Sequence, residues 1–292
     1  MKILQFDSYK SLLPTKNALH LKLISGGAVS FICGAGDVSD GIKADCVLQK
    51  FREGLDLVLI WNGNEIGCDW IRAICGKFKV PYAYIEQGFL PQKDTISVFT
   101  NPEKILEFEE FEEFDFDEEE LFEKFSSKFP FERGVNIDKE KVVVPMQLSY
   151  DASLYRMEDP TNDFFRIISG YVEASIDFDG IIKRIVICPH PQNPNDYRKF
   201  DTFPIKNLGV KIKVSNRGFL TEIKDCVEVI GYNSTSLYES RLLGVPTVSA
   251  GNIFLQSCYP RKSFLASVEA HQFDPTNDTF EEITKKIWKN TQ

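Results

Sequence analysis

Residues Val227 to Ser249 read VEVIGYNSTSLYESRLLGVPTVS, and this short stretch holds a complete strand–helix–strand unit. Val227 to Ile230 is a stretch of strand length, apolar except for Glu228, that stops at Gly231. Asn233-Ser234-Thr235-Ser236 supplies side-chain oxygens of the kind that cap a helix N-terminus, and the helix it opens runs on to Gly244, a residue type that ends helices. Thr247 to Ser249 then starts another strand. A strand that returns through a helix to a second strand is the repeating unit of a parallel sheet.

Outward from this unit the alternation continues. Before it stand the strand candidates Val142 to Leu148, Arg184 to Cys188 and Val210 to Val214, with a helix expected from about Pro160 to Ile176. The N-terminal half alternates likewise: Lys2 to Phe6, Ala28 to Cys33, Leu55 to Trp61, a helix around Ile66 to Phe78, then Tyr82 to Glu86. With 292 residues and 43% hydrophobic content the chain is long enough for two cores. The expected fold is α/β and GT-B-like, two Rossmann-like domains facing a central cleft. Residues 1–140 are expected to form the first domain and residues 141–292 the second. The last helix, Thr279 to Lys289, is a candidate to cross back to the first domain.

The formal charge of -9 comes from one segment. Glu103 to Glu123 holds 12 acids and one lysine, which leaves 33 basic and 31 acidic residues in the remainder. That segment sets Phe108, Phe111, Phe114, Leu121, Phe122 and Phe125 among carboxylates, the pattern of a solvated face over a buried stripe, broken near Phe116-Asp117. The rest is near neutral and can hold an anionic ligand. With no basic block and a pI near 5.1, nucleic acid is not expected as a partner. The seven cysteines are odd in number and mostly set in apolar runs, which fits reduced thiols. No apolar run approaches the roughly 20 residues of a membrane span, and no cleavable leader pattern stands at the start, so a cytoplasmic location is expected.

In open parallel sheets ligands bind outside the carboxyl ends of the strands, so polar residues just past an apolar run carry most weight. Glu86-Gln87-Gly88 follows one run, with Gly88 permitting a sharp turn; Trp61-Asn62-Gly63 follows another. Pro145-Met146-Gln147 leads to Asp151, which reads either as a turn or N-cap aspartate or, paired with Glu86, as one of two carboxylates dividing nucleophile and acid/base roles. His190, held between Pro189 and Pro191, suits donation to a phosphate oxygen. Asn233, Ser234, Thr235 and Ser236 form either an ordinary cap or a phosphate site, and Glu239 one turn on is placed for ribose hydroxyls. No phosphate-loop or dinucleotide glycine pattern, G-x-S-x-G elbow or HExxH is present, and three histidines in all argue against a His-built metal site.

Taken in order, Trp61-Asn62-Gly63, Glu86-Gln87-Gly88, Pro145-Met146-Gln147 with Asp151, His190-Pro191, and Asn233 to Ser236 through Glu239 to Thr247 resemble the capsule polysaccharide biosynthesis family, which includes bacterial retaining β-Kdo transferases. The resemblance spans about Trp61 to Ala250. It implies transfer of Kdo from CMP-β-Kdo to a saccharide or lipid-linked saccharide, in capsule or surface polysaccharide synthesis, with no cofactor and no metal in the transfer step. By motif, Asp151 is the nucleophile, Glu86 the acid/base, His190 and the Ser234 to Ser236 hydroxyls the phosphate holders with Asn233 beside them, and Glu239 the ribose partner. Asn62, Gln87 and Gly88 fall on the acceptor side. Peripheral membrane and capsule-assembly partners are left open. The alternatives are an inverting CMP-sialic acid transferase, which has no use for a nucleophile at Asp151, a nucleotide-sugar epimerase or hydrolase of the same architecture, and a non-catalytic scaffold acting through the acidic segment.

Overall fold

The computed structural model describes residues 1–7, 14–62, 67–92, 94–100, 117–127, 129, 134, 136–148, 160–178, 182–192, 209–251, 255 and 260–291. The chain divides into two compact units, Met1–Phe108 with Ser267–Gln292, and Glu109–Ala266. The first unit runs β1 (Lys2–Phe6), α1 (Pro14–Ser25), β2 (Val29–Cys33), α2 (Ala35–Ser39), α3 (Gly41–Arg52), β3 (Leu57–Trp61), α4 (Cys68–Phe78), β4 (Tyr82–Gln87) and β5 (Ile96–Phe99). The second runs α5 (Glu118–Ser126), β6 (Asp138–Pro145), α6 (Pro160–Phe178), β7 (Arg184–Cys188), β8 (Lys211–Val214), α7 (Phe219–Glu222), β9 (Cys226–Gly231), α8 (Thr235–Leu242) and β10 (Thr247–Ser249). Helix α9 (Arg261–His271) begins in the second unit and ends in the first, to which β11 (Gln272–Phe273) and α10 (Phe280–Lys289) belong.

The sheet of the first unit has the order β11-β5-β4-β3-β1-β2. Strands β1 to β4 are parallel, and β5 and β11 join antiparallel. All five residues of β3 are buried, as a strand covered on both faces requires. Ile3, Leu57, Leu59, Ala83 and Ile85 form one core with Leu19 and Leu23 of α1 and Ile283 and Ile287 of α10. Helix α10 earns its place by local chemistry as well as burial. Thr279 caps it and Glu282 returns the bond to the Thr279 amide, a reciprocal capping box, while each fully buried isoleucine contributes about 2 kcal/mol.

The second sheet is wholly parallel, in the order β10-β9-β6-β7-β8. Val142, Val144, Ile185, Ile187 and Ile230 pack there against Phe164, Phe165, Ile168 and Val172 of α6. Strand β6 begins at Asp138, ahead of the apolar run that marks it in the sequence. Its charged start is tolerated because Asp138 pairs with Arg184, Glu140 with Lys183, and Lys141 with Glu222 and Asp225, while Lys139 is exposed to solvent. A division after residue 140 would cut this central strand. The units instead separate between Phe108 and Glu109 and again inside α9.

Of the acidic segment, residues 101–116 lie outside the described residues. Asp117 caps α5 by accepting from the Glu119 and Glu120 amides, and α5 buries Leu121 and Phe125 while Glu119, Glu120 and Glu123 are exposed. The described cysteines are free thiols, and all but Cys46 are buried. Among the described residues no helix is long and apolar enough to cross a membrane.

Candidate active site

In the second unit β9, β6 and β7 are neighbours, so their carboxyl ends deliver three polar segments side by side. Asn233 to Ser236 follow β9, Met146 to Leu148 follow β6, and Pro189-His190-Pro191 follow β7. The row is stitched together. The Met146 amide donates to the Cys188 carbonyl at 2.9 Å, and the Asn233 amide donates to Gln147 Oε1 at 3.1 Å. Asn233 Oδ1 is buried and accepts no hydrogen bond in this arrangement, leaving an acceptor at the mouth of α8 whose desolvation is uncompensated.

Ser234 is the N-cap of α8, its Oγ accepting from the Ser236 amide at 3.3 Å. The cap reading of this segment therefore holds for Ser234, while Thr235 and Ser236 stand half-buried in the first turn, where the amide dipoles favour an anion. Glu239 lies one turn further along α8, half-buried, and burial pushes its carboxyl up to about 7. A carboxyl poised there changes charge near neutrality, and its ionised form is the stronger acceptor for hydroxyl donors. At the end of β7 the His190 ring is half-buried, and its Nδ1 accepts from the Gln192 amide at 3.2 Å. In the neutral ring that bond puts the proton on Nε2, the nitrogen that can then donate. Asp151 lies outside the described residues. Among the described residues no group of three or more His, Cys, Asp or Glu is arranged to hold a metal ion.

The polar edge of the first unit is built on β3 and β4. Glu86 is the penultimate residue of β4, half-buried, and in register with Ser97 of β5. Ala83 and Ile85 point into the core, so the period of two sends Glu86 to the other face with Tyr84. Its Oε1 accepts from the Gln87 amide at 3.1 Å, and the Gln87 carbonyl accepts from Ser97 Oγ at 3.1 Å. Gly88 has no room for a side chain: a Cβ there would lie 2.0 Å from Thr95 Oγ1. At the end of β3, Asn62 takes a left-handed backbone, φ 61°, and its amide donates to the Ile85 carbonyl at 3.0 Å, which keeps the ends of β3 and β4 together. Asparagine is among the few residues other than glycine that adopt this conformation readily.

Several charged groups found here escape a reading of the sequence. Asp7 stands directly past β1 and forms a buried 2.7 Å ion pair with Lys16 of α1, whose ammonium lies 4.5 Å from the centre of the Trp61 ring. The strand-end rule applied to Lys2 to Phe6 would have singled out Asp7. Lys16 leaves no such signal. In the second unit Glu222, almost fully buried, accepts from Lys141 Nζ, Ser215 Oγ and Arg217. Burial pushes the Glu222 carboxyl up, but the hydrogen bonds from Arg217, Ser215 and Lys141 outweigh it and hold the group at about 2.

No protein-family model and no curated protein matches this chain. The likeness lies in the fold. A solved structure of Thermosulfurimonas dismutans KpsC, a beta Kdo 2,7 transferase, is 14% identical and superposes with a TM-score of 0.53 over 98% of each chain. The UDP-GlcNAc 2-epimerase of Methanocaldococcus jannaschii is 13% identical over 99% of each chain with a TM-score of 0.39. MurG of Acinetobacter baumannii is 8% identical, TM-score 0.35, over 91% of this chain and 81% of that one. The fold is α/β and GT-B-like, with two sheets in which parallel pairing dominates.

Proposed function

We propose that this chain is a carbohydrate-active enzyme, a glycosyltransferase that moves Kdo from CMP-β-Kdo to a saccharide or lipid-linked saccharide acceptor with retention of configuration. The observation that carries the reading is the row of Gln147, His190 and Asn233 to Ser236 across three adjacent strand ends, with Glu239 behind it. These are the same residues, in the same order, that resemble the β-Kdo transferase motifs. The fold likeness to a solved beta Kdo 2,7 transferase supports it.

In this reading the CMP phosphate is met by the α8 N-terminus and by His190 Nε2–H, and the ribose hydroxyls by Glu239. Those donors stabilise the negative charge that builds on the phosphate as it leaves. The Asp151 carboxylate attacks the anomeric carbon as the bond to the phosphate oxygen breaks, its electron pair departing with CMP. Glu86 then takes the proton of the acceptor hydroxyl, whose oxygen displaces Asp151 from the same carbon. Two displacements restore the starting configuration.

The test is a transfer assay with CMP-Kdo made in situ, and separately with CMP-sialic acid, against a panel of saccharide acceptors. Acceptor-dependent consumption of CMP-Kdo, abolished in Asp151→Ala with CMP binding retained, is the expected result. Turnover of CMP-sialic acid that survives Asp151→Ala would move the assignment to an inverting sialyltransferase, and consumption of the donor without any acceptor to a hydrolase or epimerase.

A further inference from the structure

Three features of the described residues could extend this reading. The Asp7–Lys16 pair is already internally neutralised, and the Lys141–Glu222–Arg217 group is a closed set of partners. The third acts on the turn that follows Glu86, and it comes from residues far along the chain.

Gln272 is buried, 4% exposed, at the start of β11. Its Oε1 accepts from the Phe89 amide at 2.6 Å and from the Leu90 amide at 2.8 Å, and its Nε2 donates to the Leu90 carbonyl at 2.7 Å. One side-chain amide thus serves three backbone groups of two consecutive residues, as a neighbouring strand would. Its strand register continues the alignment: Gln272 pairs with Ser97, and Ser97 with Glu86. The rest of the turn is held in the same place. The Gly88 amide donates to the Thr95 carbonyl at 2.8 Å, Thr95 Oγ1 donates to the Pro91 carbonyl at 2.8 Å, and Ser97 Oγ donates to the Gln87 carbonyl.

Gln272 is itself fixed. Its carbonyl accepts from Lys286 Nζ of α10 at 2.7 Å, and Lys286 also pairs with Glu269 at 2.7 Å. On either side of it the His271 ring stacks on Phe99, and Phe273 packs in the core with Ile85, Ile96 and Val98. The backbone on both sides of the contact is therefore held by packing and hydrogen bonds, and the side chain between them must offer an acceptor to two amides and a donor to one carbonyl. Glutamate offers an acceptor to the two amides but sets a second acceptor against the Leu90 carbonyl. Leucine leaves all three groups buried and unpaired, at the cost such groups carry.

We infer that Gln272 is the positioning residue for Glu86, holding residues 87–91 so that the carboxyl at the end of β4 keeps one orientation. The inference rests on the acid/base reading of Glu86. It assigns to β11 and α10, drawn from residues 267–292, the task of bracing that carboxyl rather than only completing a sheet edge.

Two measurements test it, the first independent of any turnover. Hydrogen exchange of the peptide covering residues 86–92 is compared in wild type, Gln272→Leu and Gln272→Glu. The Phe89 and Leu90 amides should exchange at least tenfold faster in Gln272→Leu, with peptides from β1 and β3 unchanged; unchanged exchange at Phe89 and Leu90 overturns the clamp. The second measurement is kinetic, with CMP-Kdo. Gln272→Leu should lower kcat tenfold or more with KM for the donor within twofold. Gln272→Glu should recover as pH falls and its carboxyl, once protonated, donates to the Leu90 carbonyl. Faster exchange with unaltered kcat, or a Gln272→Glu profile parallel to that of wild type, overturns the positioning role. A wild type that turns over no CMP-Kdo overturns the transferase reading itself and with it the positioning role, whatever the exchange shows.

Discussion

Replacing Glu239 with glutamine should leave stability unchanged at pH 4 and raise it at pH 8. Burial lifts the Glu239 carboxyl from 4.5 in the unfolded chain to about 7 in the folded one. Between those two values the folded state binds more protons than the unfolded state, so stability falls as pH rises through the window and the loss is complete above about 7. At 1.36 kcal/mol per unit, the full penalty is about 3 kcal/mol, a ceiling because the side chain is half rather than fully buried. Glutamine keeps the shape and carries no charge at any pH, so the difference between variant and wild type isolates this group, and other titrating side chains cancel. The assay must read the second unit. Trp61, Trp70 and Trp288 all belong to the first, so indole fluorescence is blind to α8, and urea unfolding followed by hydrogen exchange of second-unit peptides is the suitable readout. A difference that is flat from pH 4 to 8, or that favours wild type at pH 8, would refute the burial argument.

Other perturbations have defined outcomes. Lys141→Met strips Glu222 of one of its partners and should cost about 3 kcal/mol in urea unfolding; in wild type the contribution of Glu222 should persist above pH 4.5 and disappear as pH falls toward 2. Gly88→Ala forces a Cβ onto Thr95 and should cost about 1–3 kcal/mol, seen as a lowered unfolding midpoint of the first unit. Ser234→Ala removes the α8 cap and should cost about 1 kcal/mol, with weaker CMP binding by calorimetry. Cytidine, which has no phosphate to titrate, should bind more tightly as pH rises through about 7, and Glu239→Gln should flatten that dependence.

The strands most easily read from the sequence were those buried on both faces. Leu57 to Trp61, Val142 to Pro145 and Ile185 to Cys188 are unbroken apolar runs of strand length. The start and stop of α8 were equally legible because Ser234 and Gly244 act locally, through a cap and a backbone with φ of +71°. Elements specified by distant partners were not. The run Asp138-Lys139-Glu140-Lys141 looks like a loop until Arg184 pairs with Asp138, Lys183 with Glu140, and Glu222 and Asp225 with Lys141. β11 is two residues long and exists only because β5 is there to receive it. The same division applies to the site. His190 and Asn233 sit past strand ends and Glu86 at the end of one, and they announce themselves, whereas Gln272 touches a turn 182 and 183 positions away and has no local signature.

The most direct test of the transferase reading is intact-protein mass spectrometry of Glu86→Gln after incubation with CMP-Kdo, the substitution slowing the step that releases an adduct. A mass increase of one Kdo residue that maps to Asp151 and is absent in the Asp151→Ala, Glu86→Gln double variant is expected. Demonstrated Kdo transfer by the wild type with no adduct in Glu86→Gln, or an adduct that maps elsewhere, would contradict the covalent mechanism and the role given to Asp151.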